Sequence, residues 1–254
     1  MPALLKMVKV ETRLFLRDSA TVIFGVLFPT ALLLGLAAVP ALRERAPETG
    51  GLRSIDVWAP TAVVFGMVMI AVQHVPAVIA AYRERSILRR LSTTPAHPRN
   101  VLLAHMTVAF ASVVVSAALV VLVAWAVLDI APPERPLEFV AALVVGCAAL
   151  LGLGMISAGV APTSSAANQI GTLLFVALMF FGGAFLPRAL MPEVLREISE
   201  FVPPGLQALT AAWSAEAGEV TATAGGHPFW LLIAIMAGIA VIASATAARL
   251  FRWE

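Results

Sequence analysis

The sequence predicts an all-α integral membrane protein with six transmembrane helices, and three observations carry this prediction. Hydrophobic residues make up 60% of the 254 residues and charged residues only 13%, whereas about a quarter of a soluble protein is charged. The mean hydropathy is +0.93. Six apolar runs lack Asp, Glu, Lys and Arg and are long enough to cross a bilayer as helices. Soluble folds are excluded, and so are outer-membrane barrels, whose strands alternate polar and apolar residues.

The six spans are predicted within a single transmembrane domain over residues 20–39, 57–81, 101–128, 139–161, 166–186 and 229–248. Eleven basic residues flank the spans on the side of the termini and six on the other side. Because basic residues concentrate in cytoplasmic segments, both termini are expected in the cytoplasm. A composition rich in Ala, Val and Arg with two lysines is typical of high-GC bacteria, so the expected location is a bacterial inner membrane.

Residues 1–19 are predicted to form an amphipathic helix along the inner leaflet. A cleaved signal peptide is excluded, because the apolar run that follows is too long and no small-residue cleavage site comes after it. Basic and apolar side chains fall on opposite helical faces: Lys6, Lys9, Arg13 and Arg17 against Leu4, Leu5, Val8, Phe15 and Leu16. This pattern favours an interfacial helix whose basic face meets anionic headgroups. A plain positively charged anchor is the alternative.

The residue inventory argues against catalysis on this chain. The two lysines, Lys6 and Lys9, precede the first span, whereas a phosphate-binding loop needs a lysine after its glycines. Cys147 is the single cysteine, so the chain has no internal disulfide and no cysteine cluster for a metal. The four histidines have no acidic partners at catalytic or metal-binding spacing. We therefore expect a non-catalytic subunit without a cofactor of its own.

The loop after the second span is predicted to contain a short cytoplasmic helix over residues 83–94. Arg85 and Arg89 are like charges at i, i+4, which destabilises an isolated helix. An acidic complement from outside the helix is therefore expected, either lipid headgroups or a protein partner. Ordinary cytoplasmic arginines are the alternative. A small apolar face and a helix-ending proline complete the pattern: Ile87, Leu88, Leu91 and Pro95.

Glycines and prolines interrupt the chain after the fifth span. Two short amphipathic helices are predicted within residues 191–214, one around Val194 and one beginning at Leu206. Non-helical backbone at membrane depth must be buried in protein or line a cavity. The two helices are expected either to form a lid over an exit path or to lie on the outer leaflet. The interrupting residues are Gly182, Gly183, Pro187, Pro192, Pro203 and Pro204.

The loop after the second span contains a first motif, made up of Glu84, Arg85, Leu88, Arg89, Leu91, Thr94 and Pro95. The second motif is the interrupted end of the fifth span. Both motifs resemble those of type-2 ABC exporter permeases, in the branch of the daunorubicin- and multidrug-resistance transporters. In the first motif, Ser86 and Ile87 stand near the place where family members commonly have Gly and Thr. The order of elements is similar over nearly the whole chain.

The resemblance implies a type-2 ABC exporter fold in which residues 83–94 are a coupling helix that docks on a P-loop ATPase subunit. It also implies two permease copies, identical or closely related, and two ATPase subunits that bind the ATP and Mg. The implied coupling residues are Arg83, Glu84, Arg85, Leu88, Arg89, Leu91, Thr94 and Pro95. The implied re-entrant outer lid contains Gly182, Gly183, Pro187, Pro192 and Pro203.

By the same resemblance, substrate passes along the dimer axis between the second and fifth spans. Methionine and aromatic side chains suit an adaptable apolar pocket, and polar groups within hydrocarbon usually face a cavity. We therefore expect a hydrophobic or amphipathic cargo such as a drug, an antibiotic or a lipid. Ordinary helix packing and lipid contact are the alternative for any single position. The candidate residues are Phe65, Met69, Gln73, His74, Asn168, Phe175, Met179 and Phe181.

Two functions from other classes stay open. A secondary transporter would normally carry its ion on an intramembrane carboxylate or paired histidines, and the six predicted spans contain no carboxylate. A membrane scaffold or an immunity protein requires no motif. A partner ATPase would distinguish an exporter from both.

Overall fold

The computed structural model describes residues 2–45, 52–87, 98–185, 191–221 and 227–250. These residues are mainly helical, and they contain no β-strand beyond an isolated bridge between Arg45 and Arg53. Among them, six helices are long and apolar enough to cross a membrane, which confirms the predicted class and number of spans. We name them spans 1 to 6: Ser19–Ala37, Ser54–Glu84, Arg99–Leu128, Pro136–Val160, Ser164–Phe181 and Phe229–Leu250.

An N-terminal helix, Pro2–Arg17, packs along span 3. Glu11 and Phe15 lie on its buried face, while the side chains of Leu5 and Leu16 are exposed. One side of the helix thus rests on the protein and another presents apolar groups outward, as an interfacial helix does. The carboxylate of Asp18 then accepts a hydrogen bond from the Thr21 amide and caps the start of span 1.

Span 2 is the central helix of the bundle. It packs against spans 1 and 3 on one side and spans 4 and 5 on the other, and span 6 packs against span 4. Two glycines permit this close approach: a Cβ on Gly154 would overlap the carbonyl oxygen of Ala71, and one on Gly171 would lie 2.6 Å from that of Val72. Small residues at these crossings therefore set the spacing of the bundle.

Spans 1 and 2 each contain a π-helical segment, Val22–Leu27 and Met69–His74. Each segment precedes a proline, Pro29 or Pro76. Proline lacks an amide proton and its ring collides with the carbonyl of residue i−4, and a wider π turn relieves both problems. The two segments pack against each other, so two adjacent helices are distorted at the same place in the bundle.

Span 2 ends at Glu84. Two residues further on, Ser86 has a left-handed φ of 55°. Arg83 and Glu84 therefore form the last turn of span 2, and the helix predicted over residues 83–94 does not continue from it without a break. Span 5 likewise ends at Phe181, short of the predicted boundary at residue 186. Gly183 follows with φ 85°, a conformation that side chains with a Cβ rarely adopt.

Between spans 5 and 6 the described residues form three helices, which we call hairpin helix 1 (Glu193–Phe201), hairpin helix 2 (Leu206–Trp213) and hairpin helix 3 (Ala215–Thr221). Hairpin helix 2 is almost wholly buried and packs against spans 2, 4 and 6. Its indole at Trp213 donates a hydrogen bond to the carbonyl of Ala131 at 3.1 Å. This helix is enclosed by protein, as buried backbone at membrane depth requires.

Candidate functional site

A cavity of about 390 Å³ lies between the first half of span 1, the distal half of span 2 and the start of span 5. We call it the substrate pocket, after the substrate path that the sequence predicts for some of its residues. Four of the residues predicted to line a substrate path meet there: Met69, Gln73, His74 and Asn168. The remaining lining residues are Asp18, Ala20, Thr21, Phe24, Gly25, Ala77, Val78 and Ala81. Its walls are thus apolar with a few polar groups, as in most small-molecule sites.

The two π-helical segments form facing walls of the substrate pocket. Val22–Leu27 contributes Phe24 and Gly25, and Met69–His74 contributes three of the predicted residues. A π turn displaces side chains from the regular helical face and is frequent at functional sites. The distortion turns part of each helix surface toward the same cavity.

A hydrogen-bond chain fixes the polar end of the pocket. The Thr21 hydroxyl donates to Asp18 Oδ2 at 2.6 Å. Its 2.7 Å contact with His74 Nδ1 must therefore be donated by the imidazole. Burial would raise the pKa of the Asp18 carboxyl, but hydrogen bonds from the hydroxyl and amide of Thr21 outweigh it and hold the pKa below its ordinary value. The pocket wall thus carries an ionised carboxylate at neutral pH.

A second buried network adjoins the first. Glu11 of the N-terminal helix accepts hydrogen bonds from His105 Nδ1 of span 3 at 2.9 Å and from the Tyr82 hydroxyl of span 2 at 2.9 Å. The imidazole rings of His74 and His105 lie 5.5 Å apart. The Nε2 atoms of both rings are buried without a hydrogen-bond partner among the described residues. The polar end of the pocket is therefore connected to the N-terminal helix through two histidines.

Sequence reasoning missed the buried pair of Glu11 and His105, which lie 94 residues apart in the chain. The sequence does carry a signal for Glu11, which lies three positions after Val8 and four before Phe15, on the apolar face of the N-terminal helix. A carboxylate on an apolar face indicates a buried partner, because charged groups are seldom buried without one.

A ladder of aromatic rings runs from the substrate pocket along spans 1, 2 and 5. The rings of Phe28 and Phe65 have centroids 5.3 Å apart, and Phe65 meets Phe175 edge to face at the same separation. Phe24 extends the ladder at the pocket, and Phe185 extends it past the end of span 5. Two further predicted residues, Phe65 and Phe175, are thus neighbours at the interface of spans 2 and 5.

The last two predicted path residues lie elsewhere. Met179 is fully buried in the core rather than on the wall of the pocket. Phe181 is 43% exposed at the end of span 5 and stacks edge to face on Phe180. Helical spacing alone could not separate these positions from Phe175, because the surroundings of span 5 decide which face meets span 2.

The predicted coupling residues at the end of span 2 hold the turn between spans 4 and 5. The Arg83 guanidinium donates hydrogen bonds to the carbonyls of Ala158, at 3.0 Å, and Ala161 at the end of span 4. The Glu84 carboxylate accepts from the amide and hydroxyl of Ser164, at 3.0 and 2.8 Å. A cation thus meets a helix C-terminus and an anion meets a helix N-terminus, both favourable with the helix dipoles.

The other coupling residues are placed differently. Arg85 is exposed. Leu88, Arg89, Leu91, Thr94 and Pro95 lie outside the described residues.

The predicted lid residues occupy the bends of the hairpin. Gly182 caps span 5, Pro192 precedes hairpin helix 1 and Pro203 is joined to Pro204 by a cis peptide bond. Pro187 lies outside the described residues. Buried Glu200 binds His227 Nδ1 at 2.7 Å and so ties the end of hairpin helix 1 to the segment before span 6.

The described residues contain no group of three or more His, Cys, Asp or Glu that could hold a metal ion. The family model described as "ABC-2 type transporter" matches residues 2–205 of the chain. The match covers the N-terminal helix, spans 1 to 5 and hairpin helix 1, and hence the whole substrate pocket. No curated protein matches the chain.

Proposed function

Since the chain belongs to the ABC-2 type transporter family, we propose that it is the permease subunit of an ATP-driven exporter whose cargo occupies the substrate pocket. The observation that carries this proposal is the meeting of Met69, Gln73, His74 and Asn168 in one cavity between spans 1, 2 and 5.

The pocket favours a hydrophobic or amphipathic cargo. Gln73 and Asn168 supply amide donors and acceptors, while Met69 and Phe24 supply adaptable apolar contact. The aromatic ladder continues this apolar surface beyond the pocket. A drug, an antibiotic or a lipid-like molecule has this chemistry. Export of such molecules across a bacterial inner membrane, with both termini in the cytoplasm, would serve multidrug efflux and antibiotic resistance.

Coupling to ATP is proposed to pass through the end of span 2. A partner ATPase that moves residues 83–94 would pull directly on Arg83 and Glu84. Because these two side chains hold the ends of spans 4 and 5, the same movement would shift span 5 relative to span 2. Span 5 contributes Asn168 to the substrate pocket and span 2 forms one of its walls, so the opening of the pocket would follow the state of the ATPase.

The proposed assembly contains two permease copies, identical or closely related, and two P-loop ATPase subunits that bind the ATP and Mg. Spans 1 and 5 contribute residues to the pocket and also expose large apolar side chains, including Ile23, Leu27, Leu173 and Val176. A second permease copy packed against these two spans would bury such groups.

One structural observation favours a second candidate, a proton-coupled secondary transporter. Glu11 supplies the buried carboxylate that the predicted spans lack, and it lies beside His105. Intramembrane proton carriers use such pairs. The family match favours the ATP-driven exporter, and the experiment below distinguishes the two functions.

The test is purification of the full chain from its native membranes in mild detergent, followed by reconstitution into vesicles. We expect a P-loop ATPase in equimolar amount and an ATP-dependent transport of amphipathic dyes that Gln73→Leu with Asn168→Leu abolishes. A matched control is Thr172→Leu, an exposed polar position on span 5 outside the pocket.

If the chain purifies without an ATPase and a pH gradient drives dye transport, the proposed function would be that of a secondary transporter and not of an ATP-driven exporter. Absence of transport under both driving forces would leave a scaffold as the better account.

A further inference from the structure

A second cavity, the lateral groove, lies on a different part of the bundle, between spans 3, 4 and 6. It measures about 640 Å³ and shares no lining residue with the substrate pocket. Long apolar side chains form its walls, and small residues from spans 4 and 6 form its floor. The lining residues are Arg99, Leu102, Leu103, Met106, Ala148, Leu151, Gly152, Met155, Ser244, Ala247 and Ala248.

The lateral groove lies in the half of the membrane nearest the chain termini. Arg99 and Met106 are in the first turns of span 3, and Ala248 is two residues from the end of span 6. On span 4 the groove begins at Ala148, which at 1.5 Å per residue lies roughly 18 Å from the helix end at Val160. The hydrocarbon of one leaflet is about 15 Å thick. The groove thus spans one leaflet.

The charges of the lateral groove are distributed as in a site for an amphiphile. Apart from the Ser244 hydroxyl the side chains of its walls are apolar, and its single charged lining residue, Arg99, is exposed in the first turn of span 3. Arg249 directly follows the lining residue Ala248 and is also exposed. Arginine binds phosphate through paired donors, and basic residues at a membrane surface attract anionic lipids. The substrate pocket instead carries the carboxylate of Asp18.

We propose that the lateral groove binds one anionic phospholipid of the leaflet on the side of the termini, with an acyl chain along Leu102, Met106 and Met155 and the phosphate against Arg99. The site is independent of the proposed transport activity. A bound acyl chain would fill the space between span 3 and the closely packed pair of spans 4 and 6.

The test uses native mass spectrometry of the purified full chain, titrated with phosphatidylglycerol or with phosphatidylcholine of the same acyl chains. We expect one molecule of phosphatidylglycerol to bind more tightly than phosphatidylcholine. Arg99→Gln should weaken phosphatidylglycerol binding about fivefold, the effect of one basic residue near the surface, and leave phosphatidylcholine unchanged. Arg99→Lys should keep most of the preference, and Ala248→Phe should reduce binding of both lipids by filling the groove.

The matched control is Arg13→Gln, which removes an exposed arginine of the N-terminal helix away from the groove. Equal binding of the two lipids, or equal losses in Arg13→Gln and Arg99→Gln, would overturn the proposal. If Ala248→Phe fails to fold, the three arginine variants still decide it, because their substitutions lie at the surface.

Discussion

Glu11 and His105 form a buried acid–base pair between the N-terminal helix and span 3. The Oε2 atom of Glu11 lies 2.9 Å from Nδ1 of His105, and both side chains are less than a tenth exposed. The pair joins the N-terminal helix to span 3, and the Tyr82 hydroxyl adds span 2 to the same carboxylate. An amphipathic helix that could lie loosely on the leaflet is thereby fixed at a defined position on the bundle.

Glu11→Ala should destabilise the folded protein strongly. The substitution leaves the His105 imidazole and the Tyr82 hydroxyl buried without their acceptor, and removal of one partner of a buried pair costs about 3 kcal/mol or more. Glu11→Gln should cost less, because the amide oxygen still accepts one hydrogen bond. Unfolding in mixed micelles measures the change. Lys9→Ala, an exposed neighbour on the same helix, is the control, and an equal loss in that variant would contradict the role of the pair.

Gly154→Ala should disturb the bundle although it adds one methyl group. The new Cβ would overlap the carbonyl oxygen of Ala71 in the π-helical segment of span 2, and overpacking of this kind costs about 1–3 kcal/mol. Gly238→Ala is the matched control, because a Cβ at that position of span 6 meets no atom within 4 Å. It should be neutral or stabilise by up to about 1 kcal/mol. Thermal unfolding in detergent should rank the two variants in this order, and the reverse ranking would show that spans 2 and 4 are further apart.

The spans and the amphipathic helix were predictable because bilayer thickness and helical period leave a direct mark on the sequence. Six uncharged apolar runs permit few other folds. The location of Gln73 and His74 on a shared cavity also followed from their residue types, since polar groups are rare within hydrocarbon unless they face a cavity.

The contacts of Glu11, Arg83 and Glu84 could not be predicted in the same way. Each residue is polar and near a membrane surface, where solvent is the default environment. Its partner is 75 or more residues away in the sequence and is brought close only by the packing of several spans. The π-helical segments before Pro29 and Pro76 could not be predicted either, because a proline predicts a kink but not the π turn that accommodates it.

Phe175→Ala should weaken binding of aromatic cargo without unfolding the permease. Its ring belongs to the aromatic ladder, where it meets Phe65 edge to face at 5.3 Å, and a cargo ring that packed on Phe175 in the same way would contribute about 0.5–1.5 kcal/mol to binding. Half-saturation of cargo-stimulated ATP hydrolysis should therefore rise roughly two- to tenfold. Phe180→Ala, on the same span but stacked on Phe181 away from this ladder, is the control. Equal effects of the two substitutions would place the cargo elsewhere than along Phe65 and Phe175.

Glu84→Ala should uncouple ATP hydrolysis from transport, because it releases the start of span 5 from the end of span 2. The carboxylate accepts hydrogen bonds from both the amide and the hydroxyl of Ser164. Ser164→Ala keeps the amide and should show a smaller defect in the same direction. Arg85→Ala tests a different step, because the Arg85 side chain is exposed and is expected to contact the ATPase.

The predicted signature is a transport rate reduced at least tenfold in Glu84→Ala while the ATPase remains bound and active, against loss of the bound ATPase in Arg85→Ala. Transport and ATP hydrolysis are measured in the same vesicles, and the amount of co-purified ATPase separates docking from transmission. If Glu84→Ala and Ser164→Ala transport at the normal rate, the movement of the ATPase reaches span 5 without the Glu84 contact, and the connection must run through Arg83 and the end of span 4.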